Sequence, residues 1–188
     1  METKTQKPIL PSESTGYAND ESSVPKAKKR DKDGFVIYET EPETGSTFTV
    51  NEPAAAYNTY QPFYRNDISL LTQSKKGLRA KAALDFLSLS GFTQDEFQET
   101  FKTTVKTIQN HVNRQLPLDA ALSEKLLKSF ALFDKGISLF GSGKNFYRWL
   151  IVPAYGLGNQ VPFQLMDTIT GINLIDEELT RIEYGDLA

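Results

Sequence analysis

Large apolar residues are sparse in the first third of the chain and fall into helical spacing from about Ile68 onward. Ala80, Ala83, Leu84 and Leu87 stand at i, i+3, i+4 and i+7, which predicts one buried helix face ending at the Ser-Gly pair 90–91. Immediately after, Thr93 is a helix N-cap and Glu96, three residues on, completes a capping box. Phe92 and Phe97 flank that cap as a hydrophobic staple, so three signals agree on one helix start. The predicted helix ends near Phe101, and Lys102-Thr103-Thr104 form a tight break. A second helix follows, with Val105, Ile108 and Val112 inward and Lys106, Thr107, Gln109, Asn110, Asn113 and Arg114 elsewhere on the cylinder. Two short helices joined this way are the parts of a helix-turn-helix. Leu122, Leu126, Phe130, Phe133, Ile137 and Phe140 then predict a long amphipathic helix that stops at the Gly-Ser-Gly of 141–143.

Beyond it the pattern shortens. A helix running to Val152 is stopped by Pro153, and residues 154–160 read as a loop. Pro162 opens a further helix with Phe163, Met166 and Ile169 or Thr170 inward, and Gly171 is read as its end. Ile172, Ile175, Leu179 and Ile182 define a last helix, with Gly185 at its C-terminal cap. Phe146, Trp149, Tyr155 and Phe163 are assigned to the core, because large aromatics fill cores first. No strand is predicted after residue 60, so the fold class is all-α. Residues 1 to about 60, rich in Ser, Thr, Glu, Pro and Ala, cannot bury enough apolar surface to offset their ordering entropy and are read as a disordered tail. The exception within it is Gly34–Thr40, GFVIYET, an apolar run suited to a strand.

Composition narrows the chemistry. The 188 residues include no cysteine and one histidine, His111, which removes disulfides, thiolate metal sites and most zinc or triad arrangements. No 18-residue apolar run and no signal peptide are present, which makes the expected location cytoplasmic with no membrane partner. The net charge of -3 is unevenly distributed: residues 61–160 carry 13 Lys/Arg against 8 Asp/Glu, and residues 161–188 carry 1 against 6. A basic middle and an acidic end imply two surfaces with different partners.

The glycine-rich stretches do not hold up as nucleotide sites. In Gly141–Lys144 the first glycine of a phosphate loop would fall at Ser138, and Asn145 follows the lysine. In Gly156–Val161 a dinucleotide fingerprint would need glycine or alanine where Val161 stands, after a strand that is not predicted. Asp176-Glu177-Glu178 are explained by the helix dipole, which favours acids in a first turn. His111 reads as a surface or structural residue, or a minor phosphate contact. No nucleophile–base pair and no metal set emerge, so neither an enzyme nor a cofactor is expected. The polar face of the 104–114 helix has two readings: a major-groove reader, or an ordinary solvated face. As a reader, Lys106, Thr107 and Asn110 would meet base edges, with Lys102, Thr104 and Arg114 at the backbone. So few cations would need a dimer presenting two copies.

From about Gly77 to Asp186 the chain resembles the Xre/MbcA/ParS antitoxins, partners of RES-domain toxins in type II toxin–antitoxin systems. Residues 77–112 look like the Xre-type helix-turn-helix and 122–141 like the connecting helix. Residues 146–185 look like the toxin-binding domain, through the ordered succession Trp149, Leu150, Pro153, Leu157, Gly158, Pro162, Leu165-Met166-Asp167-Thr168, Gly171, Leu179, Arg181, Ile182, Tyr184 and Gly185. The resemblance implies an Xre-like domain over 65–140 and a toxin-binding domain over 141–188, preceded by the tail over 1–64 that composition suggests. It implies an antitoxin that covers the toxin's NAD-using active site, represses their operon through operator DNA, and works as a homodimer within a hetero-oligomer. The toxin would then meet Glu178, Arg181, Glu183, Tyr184, Gly185, Asp186, Leu187 and Ala188. The local acidity suits a segment entering a cationic cleft built for NAD phosphates. The long tail lies outside the family's pattern, and the DNA-reading face is only modestly basic. The alternative is a helix-turn-helix transcriptional regulator whose C-terminal module serves dimerisation or effector binding.

Overall fold

A computed structural model describes residues 26–30 and 36–39 and the continuous stretch 59–185. The first two segments, β1 (Lys26–Arg30) and β2 (Val36–Glu39), pair antiparallel with an irregularity between Ala27 and Lys29. The strand anticipated in the apolar run 34–40 is thus present, within a tail that composition alone marks as disordered. Its Val-Ile-Tyr sequence favours extended backbone. The rest of the reading for residues 1–58 lies outside the described residues.

From residue 59 the fold is helical. In order come α1 (Gln61–Tyr64), α2 (Asp67–Lys76), α3 (Lys81–Ser90), α4 (Gln94–Phe101), α5 (Val105–Asn113), α6 (Ala120–Phe140), α7 (Gly143–Leu150), a 3-10 turn (Tyr155–Leu157), α8 (Pro162–Leu165) and α9 (Ile169–Tyr184). Residues 59–64, assigned above to the tail, pack onto the bundle: the Tyr60 ring stacks on Phe130 at 4.4 Å and its hydroxyl donates to Asp85. Burial, with the Asp85 carboxylate beside it, raises the Tyr60 phenol far above its usual range.

Capping fixes where the helices start. At Thr93 the reciprocal box forms as expected: Thr93 Oγ1 accepts from the Glu96 backbone N–H at 3.1 Å, and the Glu96 carboxylate accepts from the Thr93 N–H at 2.6 Å. Phe92 and Phe97, the two staple residues, are both buried. Gly141 caps α6 in the left-handed region while Ser142 N-caps α7, so two residues turn the chain between two helices.

One boundary differs from the periodicity. Gly171 does not end the helix begun at Pro162; that helix stops at Leu165, and Gly171 lies in the first turn of α9, where its N–H donates to the N-cap Thr168 Oγ1 at 3.0 Å. A Cβ at 171 would fall 1.9 Å from the Leu165 carbonyl oxygen, so glycine is there for close approach of α9 to α8 rather than for a cap.

Helix α6 is the spine. Its expected single apolar stripe is real, but Leu127 and Leu132, off that stripe, are buried as well. α2, α7 and α9 all pack on it, so it is covered on more than one side. An aromatic network runs through the helical bundle: Phe86 meets Phe92, Phe101, Phe130 and Phe133 edge to face, Phe133 meets Phe146 at 5.0 Å, and Phe92 meets Phe163 at 5.2 Å. The last two contacts join the two halves assigned by sequence. Phe146 is fully buried, Trp149 and Phe163 are half-buried, and Tyr155 is not in the core at all.

The seat of Phe146 against α6 is tight. A Cβ on Gly136 would lie 2.5 Å from the Phe146 ring. Gly136→Ala is expected to destabilise the fold by about 1–3 kcal/mol, read as a lower denaturation midpoint at unchanged slope; an unchanged midpoint would mean that α7 is not seated on α6 this way.

Candidate functional site

Two outward surfaces carry the candidate residues, one including α4 and the other α9, and both of these helices pack against α6. On the first, α4, the turn 102–104 and α5 form the helix-turn-helix. Lys102 adopts the left-handed conformation (φ 54°) that closes α4, and Thr104 N-caps α5 by accepting from the Thr107 N–H at 3.1 Å. Val105 and Ile108 are buried, which leaves Lys102, Thr104, Lys106, Thr107, Asn110 and Arg114 exposed. These six do not form one uniform face. Lys102 Nζ lies 3.7 Å from Asp167 Oδ2, and the Thr104 and Thr107 hydroxyls hydrogen-bond each other at 2.9 Å. Lys106 and Asn110, one turn apart, face outward with no polar partner among the described residues. His111 lines a cleft of about 540 Å³ with Lys102, Thr107, Lys125 and Asp167, away from that outward face.

Lys125 in α6 is the joint between the surfaces. It is nine-tenths buried, and its ammonium donates to the Thr100 carbonyl at the end of α4 and, at 2.6 Å, to the Asp167 carbonyl just before α9. The Phe101 ring lies beneath it at 5.6 Å. Burial pushes its pKa below the usual lysine value, partly offset by the Asp167 carboxylate. Further along α6, Lys128 donates to Asn173 at 3.0 Å, and Lys135 reaches Asp176 Oδ1 at 3.1 Å and Thr180 Oγ1 at 2.5 Å. The opposite charges of the middle and end of the chain therefore meet each other in part. They are not solely two surfaces awaiting separate partners.

The second surface is α9 with the loop 154–160. Its outward stripe is Leu174, Glu177, Arg181 and Tyr184, at helical spacing. Glu178, expected at a partner, is only 6 % exposed and turns instead to the loop. Its carboxylate receives Arg181 Nη2 at 2.6 Å and Nε at 2.8 Å, and Arg181 also donates to the Gly156 carbonyl at 3.3 Å. A Cβ on Gly156 would fall 2.1 Å from the Glu178 carboxylate, so a side chain at 156 would have to displace the carboxylate from this clamp. Glu183, Tyr184 and Gly185 are exposed, with Tyr184 81 % accessible and Gly185 left-handed (φ 71°) as expected of a cap. Asp186, Leu187 and Ala188 lie outside the described residues. Tyr155, 77 % exposed beside the clamp, is the surface residue that sequence reading missed. Among the described residues no helix is long and apolar enough to cross a membrane.

The architecture is that of a helix-turn-helix protein with a second helical unit built on its long helix. Comparison with known proteins makes the class specific. Residues 69–129 match the antitoxin Xre-like helix-turn-helix domain, and residues 135–185 match the antitoxin Xre/MbcA/ParS C-terminal toxin-binding domain. The chain belongs to the Xre/MbcA/ParS antitoxin family. It is also similar to the antitoxin Xre of Pseudomonas putida (strain KT2440), with 26 % identity over 81 residues, 43 % of this chain and 51 % of that protein. The similarity thus spans about half the length of that relative. The second domain match begins inside α6, consistent with a helix that serves both units.

The joint can be tested directly. Lys125→Met keeps the aliphatic stem on Phe101 but leaves the Thr100 and Asp167 carbonyls without their donor, and is expected to cost about 1–3 kcal/mol. Chemical denaturation that finds the variant as stable as the wild type would show that the ammonium contributes nothing net.

Proposed function

We propose that this chain is the non-enzymatic antitoxin of a type II pair: it binds a RES-domain toxin through α9 and the chain end, occludes the toxin's NAD-using active site, and represses its own operon through α5. The observation that carries the reading is the toxin-binding domain match together with the outward stripe Leu174–Glu177–Arg181–Tyr184, opposite the buried face of Ile172, Ile175 and Leu179. Glu177 and Glu183 keep an acidic character on that surface after Asp167, Asp176 and Glu178 have found partners within the chain. Of the toxin contacts proposed, Glu183, Tyr184, Gly185 and the terminal Asp186, Leu187 and Ala188 act directly. Arg181 does so with the part of its side chain that the clamp leaves exposed, and Glu178 acts by holding that clamp.

The DNA role rests on Lys106 and Asn110 as the outward pair of α5, with Arg114 at the helix end for phosphate and Lys102 available only in competition with Asp167. Two copies in a homodimer would supply the charge that one face lacks.

Expression of the protein encoded beside this chain is expected to arrest growth and deplete NAD, and co-expression of this chain to restore both. A neighbour that is harmless alone, or a toxin that this chain does not restrain, would end the antitoxin reading. Lys106→Ala combined with Asn110→Ala is expected to weaken binding to the upstream promoter fragment roughly tenfold or more while neutralisation persists. An unchanged gel shift would remove α5 as the DNA reader and leave the C-terminal role standing.

A further inference from the structure

The five residues after α7 bury only Ala154. Ile151, Val152 and Tyr155 are 43 %, 56 % and 77 % exposed, three of the eight large apolar side chains left in solvent among the described residues. Pro153 between them is exposed too. Isolated surface apolar residues need no explanation, but three within five positions make a patch.

This patch is held firmly. Val152 N–H donates to the Trp149 carbonyl at 3.2 Å and fixes the end of α7. Ala154 N–H donates to Gln160 at 3.0 Å, and Asn159 N–H returns to Ala154 at 3.0 Å, closing the loop at its base. Gly158, left-handed at φ 67°, donates back to the Tyr155 carbonyl at 2.9 Å. Arg181 holds the next carbonyl, Gly156, while the buried Glu178 carboxylate occupies the space a side chain at 156 would need. Tyr155 is therefore an aromatic side chain on backbone that is pinned on both sides, and its ring projects into solvent. A ring presented this way has already lost most of the backbone freedom that binding would otherwise take. Tyrosine is also among the residue types that dominate binding energy when they enter a pocket on a partner.

We propose that Tyr155, flanked by Ile151 and Val152, is a second anchor for the toxin, inserting into an apolar pocket on that protein next to the site covered by α9. The proposal rests on the antitoxin reading. Two observations favour the toxin over a second copy of this chain: the patch lies within residues 135–185, matched by the toxin-binding domain, and it adjoins the exposed stripe of α9 through the Arg181–Gly156 contact. The same clamp thus serves both contacts. It orients Tyr155 from one side, and it holds Arg181 in the stripe on the other.

The test uses the full chain and the purified protein encoded beside it, with affinity read by calorimetry and oligomeric state by light scattering. Tyr155→Ala is expected to weaken binding about thirtyfold or more, with far-UV spectrum and thermal midpoint as in the wild type, because the ring makes little of the core. Tyr155→Phe is expected to bind within about fivefold of wild type, since the ring supplies the contact. Should the alanine variant lose thermal stability, Ile151→Ser with Val152→Ser, on the same patch, is expected to weaken binding on its own. Wild-type binding with no loss in either variant overturns the anchor and leaves the antitoxin reading intact. A change in the oligomeric state of the free variant overturns it in favour of self-association. Failure of the wild-type chain to bind at all overturns the antitoxin reading and the anchor with it.

Discussion

One ammonium group holds the arrangement together. Lys125 leaves the side of α6, crosses the face of Phe101, and donates to carbonyls at the end of α4 and just before α9. Those carbonyls belong to the helix-turn-helix and to the C-terminal domain, so the two cannot shift relative to each other without orphaning a buried cation. That is a costly event in a low-dielectric setting. The same logic, weaker because more exposed, applies along α6 at Lys128 and Lys135. Tyr147, donating to the Glu96 carboxylate at 2.7 Å, ties the capping box of α4 to α7. Polar contacts of this kind fix orientation, while the continuous aromatic network from Phe86 to Trp149 joins the two units through apolar packing.

Local chemistry was legible in the sequence wherever one element decides its own geometry. The Thr93–Glu96 box, the Gly141 and Gly185 caps and the inward set Val105 and Ile108 follow from backbone hydrogen bonding and helical period alone. What periodicity could not reach was decided by a second element. Gly171 looks like a terminator because glycine often is one; its reason for being there is the Leu165 carbonyl on a neighbouring helix. Leu127 and Leu132 lie off the stripe of an amphipathic helix because α6 turned out to be surrounded. Tyr155 was placed inside because a large aromatic usually is, and no local signal marks the clamp that keeps it out.

The candidate residues divide in the same way. Exposure of Lys106 and Asn110 follows directly from the spacing of Val105 and Ile108. The pairing of Lys102 with Asp167 and the burial of Glu178 do not, because each depends on a partner 65 residues away or on a loop that brings Gly156 under α9. A carboxylate in an acidic helix reads as surface until the one arginine of that helix, Arg181, is seen to turn back on it.

This internal pairing bears on how the C-terminal surface recognises a partner. Counted along the sequence, the last 28 residues are strongly acidic, with six carboxylates and one arginine. Counted in space, Asp167, Asp176 and Glu178 face Lys102, Lys135 and Arg181, so much of that field is neutralised within the chain. Exposed charge that remains, chiefly Glu177 and Glu183, acts in solvent where each interaction is screened over about 10 Å at ordinary salt. Charge of that strength can steer an encounter but contributes little to holding a complex. Under the antitoxin reading, tight binding therefore has to come from what the surface offers besides charge. Leu174, Tyr184 and Tyr155 on its pinned backbone are apolar or amphipathic side chains left in solvent, and their burial against a complementary protein would supply what the carboxylates cannot.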